Sequence, residues 1–160
     1  MFNLENFNDG QIHSVISLAL AVPCTMIGLG LDGIRGAILM GGGCVAGIFL
    51  SPDLDQETLT TSETIFLKIP YVGWIFTGLM FAYWLGYAVM FRHRGISHWP
   101  ILGTITRMMY ISFTFVIILV LWNVNLFTIV LPYFPLWFLG LCVSDCGHWL
   151  KDTTFGTQRL

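Results

Sequence analysis

The sequence predicts an all-α membrane protein with four transmembrane helices and a re-entrant or interfacial segment at about 69–91; five transmembrane helices is the alternative. Three observations predict it. The 160 residues are 56% hydrophobic and only 10% charged, whereas soluble domains carry about 25% charged residues and need them to face water. The apolar residues gather in runs long enough to cross a bilayer core, which takes about 20 helical residues. The ionisable residues gather in short clusters at the ends of those runs rather than along them.

The length suits one integral membrane domain, 1–160. The first run covers about 12–31. The second covers about 34–50 and is rich in small residues (Gly36, Gly41, Gly42, Gly43, Ala46, Gly47) that permit close helix contact. A later pair covers about 99–122 and 126–148. The segment 69–91 is long enough to span. If it does, His93, His98, Asp145 and His148 fall on the opposite face from His13 and Asp53. If it enters and returns, bending at Pro70, Gly73, Gly78 or Gly86, all clusters meet on one side. Irregular backbone at membrane depth is tolerated where protein or a wet cavity satisfies it, so site assembly favours the re-entrant form.

Under that topology Lys68, Arg92, Arg94, Lys151 and Arg159 share the site side and Arg35 stands alone on the other. The positive-inside rule then puts both termini and the site in the cytoplasm of a bacterial-type inner membrane. The leader Met1–Asp9 is acidic, unlike the basic start of a signal peptide. A net charge of -2 argues against a nucleic-acid partner. The partners expected are the lipid bilayer and, beyond it, a larger membrane assembly or a homo-oligomer. Cys24, Cys44, Cys142 and Cys146 form no Cys-x-x-Cys pair and read as small packing residues.

All four histidines lie in or beside the polar clusters. Charged groups at a membrane boundary mark a functional site by default, and imidazole with carboxylate donors suits a divalent metal. Zinc is the first choice, with manganese or iron as alternatives. Asp145, His148 and Asp152, at i, i+3 and i+7, share one helix face. Asp53 and Asp55 flank Leu54 after the helix-ending Pro52, and two carboxylates that close repel unless a cation intervenes or one is protonated. His93 and His98 bracket a bend at Gly95, and Ser97 is a candidate cap for the next helix. The candidate metal ligands are His13, Asp53, His93, His98, Asp145 and His148. Asp55, in a polar turn that water reaches, is the candidate general base, and Arg94 the candidate catalytic cation for an anionic group. Arg107 either snorkels to the interface or joins Arg94 in that task.

The order His13, Pro52-Asp53-Leu54-Asp55, His93-Arg94-Gly95-Ile96-Ser97-His98 and Asp145-x-x-His148 resembles that of uncharacterised bacterial membrane proteins described as metal-binding proteins or membrane-bound metal-dependent hydrolases. The resemblance covers nearly the whole chain. It implies a metal site and metal-dependent hydrolysis. In that group the segment between the motifs is often shorter and less apolar, and the run 69–91 departs from it. The leading expectation is a hydrolase acting at the cytoplasmic interface on a phosphorylated or lipid-like substrate. The alternative is a non-enzymatic small subunit stapled by its metal. Transport is a weaker third reading, because the polar groups sit at helix ends rather than at the midplane.

Overall fold

Every element of secondary structure among the described residues is helical. The structure, a computed structural model, describes residues 9–56, 59–91, 95–122 and 130–155. Five α-helices follow in order: α1 Asp9–Ala46, α2 Thr61–Leu67, α3 Gly73–Met90, α4 Leu102–Trp122 and α5 Phe134–Phe155. Two short 3-10 turns, Pro52–Asp55 and Ile96–His98, lie between them.

α1 is a hairpin. Its backbone leaves helical geometry at Asp32 (φ -147°, ψ 30°) and Gly33 (φ 59°, ψ -147°). A positive φ costs glycine little, so the chain reverses there and divides α1 into halves 9–31 and 34–46. Gly28 and Gly36 face each other across the fold, and a Cβ on either would run into the other's carbonyl. α5 lies along both halves. Gly43 rests on the Trp137 carbonyl, Gly140 on the Met40 carbonyl, and Gly47 on the Ser144 side chain. Ser17 and Ser144 share a hydroxyl hydrogen bond of 2.7 Å. These contacts run α5 parallel to the half 34–46 and antiparallel to the half 9–31.

α3 and α4 form a second antiparallel pair. Tyr83 meets Thr114, Tyr87 meets Thr106, and the Tyr110 hydroxyl donates to the Tyr83 carbonyl. Leu54 of the first 3-10 turn is buried with Trp84 and Tyr87, which fastens that turn to the C-terminal part of α3. α2 is opened by Thr60 and Glu63 in a reciprocal capping box. It runs antiparallel to the start of α3, where Thr77 donates to the Glu63 carbonyl.

This arrangement corrects the expectation for 69–91. The segment does not bend at Gly78 or Gly86; α3 passes through both without a break. The reversal comes at Lys68–Val72, around Pro70, one of the bend sites expected, where Tyr71 has φ 67°. The segment therefore belongs to an antiparallel pair, the short α2 followed by the longer α3. Lys68 caps α2 at the end of α3 remote from Leu54. The charge-bias argument thus loses one of its site-side cations. The ends of the described chain still meet, since His13 and Asp152 are 3.2 Å apart.

The bundle is apolar outside and polar within. Thirteen polar or charged side chains are buried, against eleven hydrophobic ones, among the described residues. Leu18, Val22, Met26, Ile38, Leu79 and Phe113 are exposed. By length and composition two helices suffice to cross a membrane, Gly10–Ala46 and Gly73–Met90. The first of these is the folded α1, and the apolar stretch Leu102–Ile117 is shorter. The four expected spans are thus met in length and apolarity by two helices among the described residues.

The contact between α1 and α5 depends on backbone approach, so added bulk there is felt at once. Gly140→Val should destabilise the protein by about 1–3 kcal/mol, lowering its unfolding temperature in detergent. Gly78→Ala, where a Cβ meets nothing within 4 Å, should leave that temperature unchanged or raise it slightly. Equal effects from the two would contradict this packing.

Candidate metal centre

Four separate segments end at one place. The start of α1 brings His13, the first 3-10 turn brings Asp53, the second brings His98, and the end of α5 brings His148 and Asp152. Asp152 is the hub. Its Oδ1 lies 3.2 Å from His13 Nε2, and its Oδ2 lies 3.3 Å from His148 Nε2 and 3.5 Å from His98 Nδ1. His148 Nε2 is also 3.6 Å from Asp53 Oδ1. His13 and His148 stack with ring centres 3.4 Å apart and planes 5° apart. Two imidazolium ions would repel in that position, so the stack favours at least one neutral ring with a lone pair to offer.

These residues fit a metal ion. Ligands held at about 2.0–2.1 Å around a tetrahedral ion must stand roughly 3.3–3.4 Å from one another, which is the spacing seen here. Three imidazoles with two carboxylates, and no thiolate, suit zinc, iron or manganese alike. His13 Nδ1 and His148 Nε2 are buried without a hydrogen bond. Two groups of donors, His13–His148–Asp152 and Asp53–His98–His148, each lie within 4.8 Å.

The surroundings tune the donors. Burial alone would raise the Asp152 carboxyl, but the imidazoles of His13, His148 and His98 around it hold it well below the usual carboxylate range. Burial alone would lower His98, but the carboxylates of Asp152, Asp55 and Asp53 outweigh it and raise its pKa to about 9. Lys151 Nζ stands 3.7 Å from Asp152 Oδ1. A small cleft lined by Gly10, Ser14, Gly47, Ile48 and Ser51 opens beside His13 and Asp53.

The candidate residues read from sequence part company here. His13, Asp53, His98 and His148 come together. Asp145 does not join them. It accepts hydrogen bonds from Arg107 Nη2 and the Thr104 hydroxyl, one turn further into α5. Arg107 is completely buried, so it neither snorkels to an interface nor reaches the Asp152 hub. Asp152, which shares a helix face with His148, takes the place the sequence gave to Asp145. Asp55 is also differently placed: its side chain is 0% exposed, not in a turn that water reaches, and it meets Ser97 and His98. The Ser97 hydroxyl goes to Asp55 rather than to the end of α4. Cys24, Cys44 and Cys142 are buried, as packing residues are, whereas Cys146 is exposed. His93 and Arg94 lie outside the described residues.

The His98 shift predicts a pH dependence of the metal-free protein. Its folded pKa, about 9, is above the unfolded value of about 6.5. The stabilisation is therefore complete below pH 6.5 and is lost as pH rises through 9. The unfolding temperature of chelator-treated protein should fall across that window, and His98→Gln should flatten the fall. A profile identical in wild type and variant would show that His98 does not carry it.

No curated protein and no solved structure matches this chain. The profile of one protein family matches residues 8–137. That stretch contains His13, Asp53, Asp55 and His98, while His148 and Asp152 follow it. The family's description names a metal but neither a membrane nor a reaction. The chain belongs to this family, the uncharacterized metal-binding proteins of DUF2227.

Proposed function

We propose that the chain is an integral membrane protein whose His/Asp centre holds a divalent metal, zinc first, and hydrolyses a phosphorylated or lipid-like substrate at the cytoplasmic interface. The observation that carries this reading is the convergence of two overlapping donor groups from four segments, His13–His148–Asp152 and Asp53–His98–His148, each within 4.8 Å, with four Asp–His contacts of 3.2–3.6 Å among them. His13, Asp53, His98, His148 and Asp152 would hold the ion. The metal, when bound, supplies a Lewis acid for a phosphoryl or carbonyl oxygen and a source of nucleophilic water near neutral pH.

The chain's own groups supply the rest. Asp53 is 18% exposed, lines the cleft, and has Oδ1 held by the Gln56 amide at 3.0 Å. It is the carboxylate donor that borders the cleft through which a substrate would approach the ion. Lys151, beside Asp152, is placed to hold an anionic group. The apolar outer faces of α1, α3 and α4 support a bilayer as the surrounding solvent. With α1 folded at Gly33, its first half, the run 34–50 that continues its second half in turns, α4 and α5 would give four crossings, and α2–α3 the in-and-out element. The cytoplasmic orientation rests on the sequence charges Arg92, Arg94, Lys151 and Arg159.

A second reading, a metal-stapled subunit of a larger assembly, draws on the same convergence, because an ion joining four segments would also hold them in place. An exchangeable position on the ion separates the two: a structural site is closed, a catalytic site is not.

Purified protein should carry about one divalent ion per chain, and His148→Ala should lose the ion and stability together. Metal-loaded wild type should hydrolyse at least one of p-nitrophenyl phosphate and phosphatidic acid. In the cobalt-substituted protein, added anions should shift the visible spectrum. A full complement of metal with an unresponsive spectrum and no turnover would establish the stapling role instead.

Sidedness has its own test. In a Cys146→Ala background, Arg35→Cys at the α1 hairpin tip and Thr154→Cys at the end of α5 should react with an impermeant thiol reagent from opposite faces of sealed vesicles. Labelling of both from one face would end the spanning model.

A further inference from the structure

His98 differs from the other imidazoles of the centre in having a carboxylate at each nitrogen. Its Nδ1 faces the Asp152 hub at 3.5 Å. Its Nε2 lies 3.4 Å from both oxygens of Asp55, a residue 43 positions earlier. Asp55 is in turn held by the hydroxyl of Ser97, the neighbour of His98. Leu54, packed on Trp84 and Tyr87, fixes the 3-10 turn between the two aspartates. Asp53 is thereby presented to the cleft and the donors, and Asp55 to the far edge of the His98 ring.

A neutral imidazole carries one N–H and one lone pair, and the partner at one nitrogen decides which is which. A carboxylate at Nε2 can only accept, so it selects the form with hydrogen on Nε2 and the lone pair on Nδ1. We propose that Asp55 is a positioning residue: it accepts the Nε2–H of His98, fixes the ring, and so presents Nδ1 to the metal, with Ser97 pinning the carboxylate. This rests on reading the His/Asp cluster as a metal centre. It gives the two carboxylates of Pro52-Asp53-Leu54-Asp55 different tasks. It also accounts for the complete burial of Asp55, which a proton acceptor for water would not need.

Asp55→Asn keeps the shape but can turn its NH2 toward Nε2, which favours the form with hydrogen on Nδ1 and blocks that donor. Zinc affinity, read by competition with a chromophoric chelator, should fall about 10–100-fold, while saturating zinc still fills the site. The 15N spectrum of histidine-labelled, zinc-loaded protein should show His98 protonated on Nε2 in wild type and this signature lost or mixed in Asp55→Asn. Asp55→Glu should recover part of the affinity. Ser97→Ala, which removes only the clamp, should show a smaller loss in the same direction and serves if Asp55→Asn does not fold. Unchanged affinity and an unchanged His98 signature in these variants would overturn the proposal while leaving the metal centre intact. A site that saturating zinc cannot fill in Asp55→Asn, yet fills in His98→Gln, would make Asp55 a ligand and overturn it as well. Wild type that binds no zinc would remove the metal-centre reading and this proposal together.

Discussion

Three carboxylates, Asp53, Asp55 and Asp152, are gathered with three imidazoles at one end of an apolar bundle, and the rest of the structure answers to that concentration of charge. Like charges at this spacing repel, and burial weakens the hydration that would relieve them. In the metal-free protein a proton on His98 offsets one carboxylate and Lys151 stands near another. The remaining excess is negative, and a divalent cation is the simplest counter-charge that also uses the unbonded Nε2 of His148. Every segment that contributes a donor either begins or ends there, so the charge also determines where the helices must start and stop.

The apolar part of the fold makes that convergence affordable in backbone terms. Gly43, Gly140 and Gly47 let α1 and α5 approach until backbone touches backbone or a serine. At that separation His13 and His148 are near enough to stack. α3 and α4 have little direct contact with this unit. They are joined to it by Leu54 on α3 and by the buried pair of Arg107 and Asp145 between α4 and α5. A buried ion pair seldom adds net stability over a well-packed apolar pair, yet removing one partner costs about 3–5 kcal/mol. Its value here is register: Arg107 finds its carboxylate in only one alignment of α4 on α5, and that alignment sets the second 3-10 turn, with His98, against the hub.

Much of this was legible in the sequence because it is local. The hydrophobic runs mark the helices, Pro52 marks a stop, and the clusters mark the end where the donors lie. What could not be read was pairing between elements. The spacing of Asp145, His148 and Asp152 places all three on one face of α5, but nothing in that spacing says that α4 brings an arginine to the first of them. The three share that face and divide along it: Arg107 takes Asp145, and Asp152 goes to the three imidazoles. Asp55 was misread for a similar reason. A polar turn after Pro52 looks solvated until Trp84, Tyr87 and Ser97 are known to cover it. In 69–91 the glycines suggested bends, but an isolated glycine inside an apolar helix costs only about 1 kcal/mol, and packing of α3 on α4 outweighs that.

The division of donors along the chain has a physical consequence. His13, Asp53 and His98 come from the first three segments, whereas His148 and Asp152 come from α5, and Asp152 is the group that the three imidazoles share. Without α5 the remaining donors have no hub, and His98 loses the carboxylate at its Nδ1. Docking of α5 is therefore the step that converts scattered polar residues into a centre. That docking is governed by glycine contacts about two to three helical turns away from the donors in sequence. Metal affinity and helix packing are then two readings of one event: an ion that favours the assembled donors must also favour the packed α1–α5 interface, by the same free energy.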